Sequence, residues 1–279
     1  MPFEVKSLSY DRPEQAVPQD YRQVKLYNFG ESRDGEPVSP LNARLNSTYK
    51  RVVDQARPTR LYIIISGGEL KERHYFSNLG CIVPIGCAIP LYFICPTGIK
   101  SGRNHAPHSG SSPQDIFDYW TANYQTATNS LILLGRTYHL TENDRVYFVS
   151  DVDDFSLELQ SLLKVDTPPF VRWAISNPCV EVWLYYSCIG VPSKDHCQLL
   201  ENESISKRSQ KLKSLCNEHT GGIDPRKAPA VITTAIANAR SFGYKEDEQG
   251  IPLLFCSSLL HFAEEFMEYL STFEQEDSV

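Results

Sequence analysis

Val146-Tyr-Phe-Val-Ser-Asp151-Val-Asp153-Asp154-Phe155 is an apolar run that stops in three carboxylates. A strand reading Val-Tyr-Phe-Val must be buried, so the aspartates mark where a core strand meets solvent. Open α/β sheets place their ligands at such ends. Asp151 and Asp153 are two apart and point the same way while the chain stays extended, so both can converge on one hard divalent cation, magnesium or manganese. The structural alternative is a helix start, because Asp154 before Phe155-Ser-Leu-Glu-Leu-Gln-Ser-Leu-Leu fits an N-cap.

Outward from this strand the pattern alternates. Arg60-Leu-Tyr-Ile-Ile-Ile-Ser66 reads as a central parallel strand, and Gly67-Gly68 turns the chain into a helix through Glu72, Tyr75, Phe76 and Leu79. A second strand covers 89–95, with Pro90 at its start. Ser112-Pro113 opens a helix running towards Leu134, and 170–175 reads as a fourth strand. Residues 188–204 turn polar and read as an insertion. The segments 205–216, 228–242 and 253–273 read as helices, and Asn177 before Pro178 fits the N-cap of a further one carrying Glu181. Strands alternating with helices at this pace predict an α/β fold, a mainly parallel sheet flanked by helices with right-handed crossovers. The expected division is an N-terminal extension over 1–57, an α/β core over 58–190, and an insertion with a helical C-terminal region over 191–279 packing on that core.

The 279 residues suffice for a sizeable core. Lys and Arg number 27 against 34 Asp and Glu, so the net charge of −7 argues against indiscriminate nucleic-acid binding but allows a local basic patch. The cysteines are scattered without a Cys-x-x-Cys pair, as expected of buried thiols in a reducing cytosol. No signal peptide or membrane span is read, since the longest apolar stretch, 81–96, is broken by Pro84, Gly86 and Pro90.

Three segments then share one pattern in order: Ile65-Ser-Gly-Gly-Glu69-Leu-Lys-Glu72-Arg-His-Tyr75-Phe76, Val149-Ser-Asp151-Val-Asp153-Asp154-Phe155, and Ala174-Ile-Ser-Asn177-Pro178-Cys179-Val180-Glu181-Val182-Trp183-Leu184. Together they resemble the RloB-like family over about residues 60 to 245. The resemblance implies a Toprim-like core related to nuclease subunits of bacterial phage defence, encoded beside restriction-modification loci or an ABC-type ATPase partner. In such cores a Glu after the first strand and an Asp-x-Asp after the third hold magnesium and cut a phosphodiester. By position, Asp151 and Asp153 are that pair, and Glu72 matches the Glu before the Tyr-Phe pair. The family's Glu-Gly after the first strand falls on Gly67-Gly68, which leaves Glu69 as the carboxylate available there.

The candidate catalytic residues are therefore Glu69, Glu72, Asp151 and Asp153, and the candidate metal ligands Glu69, Asp151, Asp153 and Glu181. Glu72 reads equally as an exposed first-turn acid favoured by the helix dipole. Glu181 sits among Val180, Val182, Trp183 and Leu184, so it is semi-buried and needs a partner, either a metal or an arginine. Lys207, Arg208, Lys211 and Lys213, near Arg226 and Lys227, form the densest basic patch; with Lys100 and Arg103 they are candidate nucleic-acid contacts, against the alternative of a solvated helix face. His105 and His108 lack Cys or acidic partners at zinc spacing. The expected function is a cytoplasmic magnesium-dependent nuclease acting on DNA or tRNA in an anti-phage system, with no membrane partner and with a homodimer left open. The competing reading is a catalytically weak scaffold that binds an ATPase or another defence protein.

Overall fold

The computed structural model describes residues 60–68, 70–83, 89–96, 112–133, 136–152, 155–219 and 223–274, together with the backbone of a strand at 24–28. The strands are β1 (Val24–Asn28), β2 (Tyr62–Ser66), β3 (Leu91–Pro96), β4 (Tyr124–Gln125), β5 (Ser130–Leu133), β6 (Arg136–His139), β7 (Arg145–Asp151) and β8 (Val171–Ser176). The helices are α1 (Lys71–Asn78), α2 (Pro113–Asn123), α3 (Ser156–Leu162), α4 (Glu181–Cys188), α5 (Lys194–Glu201), α6 (Ile205–Glu218), α7 (Ile232–Phe242) and α8 (Leu259–Glu274).

The expected α/β architecture is present. One sheet has the order β1-β3-β2-β7-β8, in which β3, β2, β7 and β8 run parallel and helices flank them. The strand order reverses at β2 and β7, where Arg145 N–H donates to Leu61 O at 2.8 Å. Continuous burial of Tyr62 to Ser66 explains why β2 reads as unbroken apolar sequence: both faces are covered. Within the N-terminal extension, β1 pairs antiparallel with β3 as an edge strand.

The chain divides into two compact units. The first comprises 1–69, 85–148 and 167–172. In it α2 starts with a capping box: Ser112 Oγ accepts from Asp115 N–H, and Asp115 returns a bond to Ser112 N–H. The helix ends at Asn123 instead of continuing towards Leu134. Strands β4, β5 and β6 form a three-stranded antiparallel sheet, with Asn129 in the left-handed region between β4 and β5. In β5 Leu131 and Leu133 are buried and Ile132 between them is half-buried, so the strand replaces the helical period. Tyr124 stacks on Trp120 at 4.2 Å, which holds the chain at the point where it leaves the helix.

The second unit comprises 70–84, 149–166 and 173–279. Val152, Leu159, Ile175 and Ile251 pack where the end of β7, α3 and β8 meet. Buried from Glu181 to Ser187, α4 is enclosed, and it packs against α6, α7 and the 3-10 turn Ala228–Val231. The polar stretch 188–204 carries a helix, α5, capped by Ser193 and anchored by buried Leu200. One expectation is corrected here. Helix α8 begins at Leu259 rather than near 253, because residues 255–258 lie along the edge of β8: Ser257 bridges Ser176, and Ser258 Oγ accepts Ile175 N–H at 2.7 Å. That segment gives the edge strand its missing partners.

Candidate functional site

The site is built from three helix and strand ends of the second unit. Glu72, Tyr75, Phe76 and Leu79 recur at i, i+3, i+4 and i+7, so the register of α1 and the turn after it turns Glu72 inward with the apolar stripe. It is 7% exposed, not the solvated first-turn acid of the alternative reading. Burial pushes its carboxyl up to about 7, with Glu181 adding to the rise and Lys213 and Lys71 opposing it.

Glu181 is the first residue of α4 and 2% exposed. Its Oε1 receives the Lys71 ammonium, so the buried partner is a lysine and not an arginine. Its Oε2 has no nitrogen or oxygen donor among the described residues, while the Cys179 thiol hydrogen-bonds the carboxylate. Burial raises the Glu181 carboxyl, but Lys213 and Lys71, helped by the Cys179 thiol, outweigh it and hold the pKa below the ordinary carboxylate value. Cys179 feels both acidic positions. Its fully buried thiol is raised well above the usual range by desolvation, then by Glu181 and Asp151.

Asp151 ends β7 and is half-buried; its Oδ1 accepts Val180 N–H at 2.8 Å. Val180 is the N-cap of α4, so this carboxylate takes a donor that the helix itself leaves unsatisfied. Asn177 does not cap the helix. Its peptide to Pro178 is cis, its side chain donates to Pro252 O at 2.7 Å, and its backbone exchanges bonds with Phe255 and Cys256. Asn177 thus fastens the end of β8 to the segment before α8 and shares no helix face with Glu181.

On α6, Lys213 is half-buried and faces Glu72 and Glu181, whereas Lys207 is exposed. Lys211 is half-buried. Arg208 is directed to α5, donating to Leu200 O at 3.0 Å and Glu201 O at 3.4 Å, which closes that helix's C-terminus. Arg226 forks onto Asp224 with two 2.8 Å bonds. Glu69, Lys100, Arg103, His105, His108, Asp153 and Asp154 lie outside the described residues. Among the described residues, no three His, Cys, Asp or Glu side chains form a set that could hold a metal ion. Two members of the cluster escaped the sequence reading. Lys71 is 110 residues from Glu181, and no local spacing announces such a pair. Cys179 stands two residues before Glu181 and read as an ordinary buried thiol.

Fold and site together define an α/β protein in which a strand-end aspartate meets the N-terminus of a buried helix beside a buried pair of glutamates. The chain belongs to the RloB-like family: residues 62–258 match the model described as RloB-like protein. No curated protein and no solved structure matches the chain.

Proposed function

We propose that this protein is a metal-dependent phosphodiesterase acting on nucleic acid, the effector of a phage-defence system. The observation that supports this reading is the group of acids at the end of β7 and the starts of α1 and α4: Glu72 and Glu181, both buried, and Asp151 at the strand end. The donors are hard oxygens, which suit magnesium or manganese. Asp151 and Glu181 would hold the ion, with Asp153 or Glu69 completing its ligands in the Toprim-like arrangement. When bound, it would neutralise the scissile phosphate and lower the pKa of a water. Glu72, with a carboxyl pKa of about 7, holds its proton part of the time at neutral pH and can accept or return one at its carboxylate. Lys213 supplies positive charge on the same side, as a phosphate backbone requires.

The scaffold reading also has an observation behind it. Glu181 already holds Lys71 and Asp151 already holds the Val180 N–H, so both carboxylates have structural work without a metal. Such a subunit would bind an ATPase or another defence protein through the same family fold. The test is cleavage of phage DNA and of tRNA with magnesium or manganese, comparing the wild type with Asp151→Asn. Asparagine keeps an oxygen acceptor for Val180, whereas alanine would also remove the helix contact. Metal-dependent cleavage that falls about 10²-fold or more in Asp151→Asn is expected. Equal cleavage by both proteins, or none by the wild type in the presence of its partner proteins, would leave the scaffold.

A further inference from the structure

We propose that Arg73 and His74 of α1, with Arg226 and Lys227 of the neighbouring turn, form a subsite for a backbone phosphate of the nucleic acid. This rests on the nucleic-acid reading above and names where that substrate is held.

Two elements bring the cluster together. Helix α1 packs against the 3-10 turn Ala228–Val231, and the residues just before that turn are Arg226 and Lys227. Asp224 fastens them: its Oδ1 accepts Arg226 N–H at 3.0 Å, its carbonyl accepts Lys227 N–H at 3.0 Å, and its carboxylate takes the Arg226 fork. The guanidinium is thereby held in place while its side chain stays 54% exposed. A guanidinium carries about five N–H donors, so the fork leaves donors for a second acceptor. On the helix side, Arg73 Nη2 lies 3.3 Å from His74 Nε2. Arginine only donates, which assigns Nε2 as the acceptor and leaves the proton of the neutral ring on Nδ1 as a further donor. Burial, then Arg73 and Arg226, hold the His74 ring below its usual pKa, with Asp224 opposing them. The ring thus registers a positive field from both elements. Arg73, Arg226 and Lys227 outnumber Asp224, in a chain whose net charge is −7. A phosphodiester suits this set, because its oxygens match guanidinium donors and its charge offsets the excess. Arg226 and Lys227 are exposed, Arg73 and His74 are half-buried, and the latter two stand within one helical turn of Glu72.

Fluorescence anisotropy of a labelled single-stranded DNA, and of an RNA of the same sequence, tests the subsite with the full chain in EDTA over a series of salt concentrations. Arg73→Gln and Arg226→Gln are each expected to weaken binding about tenfold and to reduce the salt slope by about 0.7, the share of one phosphate on a single strand. Lys164→Gln, an exposed cation beyond α3 with the same change of charge, should stay within about twofold of the wild type. Losses no larger than that of Lys164→Gln overturn the proposal. Should Arg73→Gln lose its helical circular dichroism, the exposed positions decide through Arg226→Gln and Lys227→Gln. Inorganic phosphate separates the two sources of the anion. Phosphate that binds the wild type but not Arg226→Gln, with oligonucleotide affinity unchanged in that variant, would make this a free-anion site and overturn the assignment to a backbone. Metal-dependent cleavage by the wild type beside unchanged binding in the variants would remove the subsite and leave the proposed activity. Weakened binding in the variants with no cleavage under either metal would do the reverse.

Discussion

Glu72 and Glu181 are neighbours whose burial has opposite consequences. Lys71 and Lys213 overcome the desolvation of Glu181, but desolvation prevails at Glu72. A carboxyl raised from 4.5 to about 7 binds more protons in the folded than in the unfolded chain between those values, so stability falls as pH rises through that window. Glu181, held below 4.5, contributes stability above that pH and loses it as pH falls through its folded pKa, so the two windows do not overlap. Urea unfolding at a series of pH values should find Glu72→Gln more stable than the wild type at pH 8, with the difference closing towards pH 4.5. A pH profile in Glu72→Gln matching the wild type would place the titration elsewhere. The helix through Glu72, Tyr75, Phe76 and Leu79 was legible in the chain, but the inward turn of Glu72 was not, since it read equally as an exposed first-turn acid. Nor were its neighbours, because α4 and α6 bring Glu181 and Lys213 to it from far along the sequence.

At the scale of elements, β8 ends the sheet and would expose unpaired backbone groups without the segment before α8. Ser258 Oγ accepts Ile175 N–H at 2.7 Å, and Ser176 and Ser257 hydroxyls meet at 2.7 Å, all buried. Ser258→Ala leaves a buried N–H without that acceptor and is expected to cost about 1–3 kcal/mol, read as a lower urea midpoint with an unchanged slope. A loss near zero would show that the pairing of 255–258 with β8 is dispensable. The apolar stripe of α8 was readable as a helix, but its start was not, because strand-edge pairing outweighs the helical preference of 253–258. The end of α2 failed for a similar reason: Asn129 adopts the left-handed turn and Leu131 and Leu133 alternate inward.

For the molecule as a whole, any ligand bound only by the folded chain raises its stability by mass action, about 2.7 kcal/mol at a hundredfold excess over Kd. Under the proposed function, manganese should raise the melting temperature of the wild type, EDTA should reverse the rise, and Asp151→Asn should lack it. A melting temperature indifferent to millimolar manganese would remove the cation from the account. Among the described residues no helix is long and apolar enough to cross a membrane. The described cysteines are free; Cys95, Cys179, Cys216 and Cys256 are buried, and burial raises the thiols of Cys216 and Cys256, so packing accounts for these.

Period and composition determined the parallel strands and the strand-end aspartate, because each is written in residues a few positions apart, and the resemblance to the family rested on three short motifs. Tertiary structure decided which charges meet. Only the packing of α1, α4 and α6 sets Lys71 and Lys213 against Glu181 and buries Glu72 beside it, since partners distant in sequence are chosen by the fold and not by local spacing.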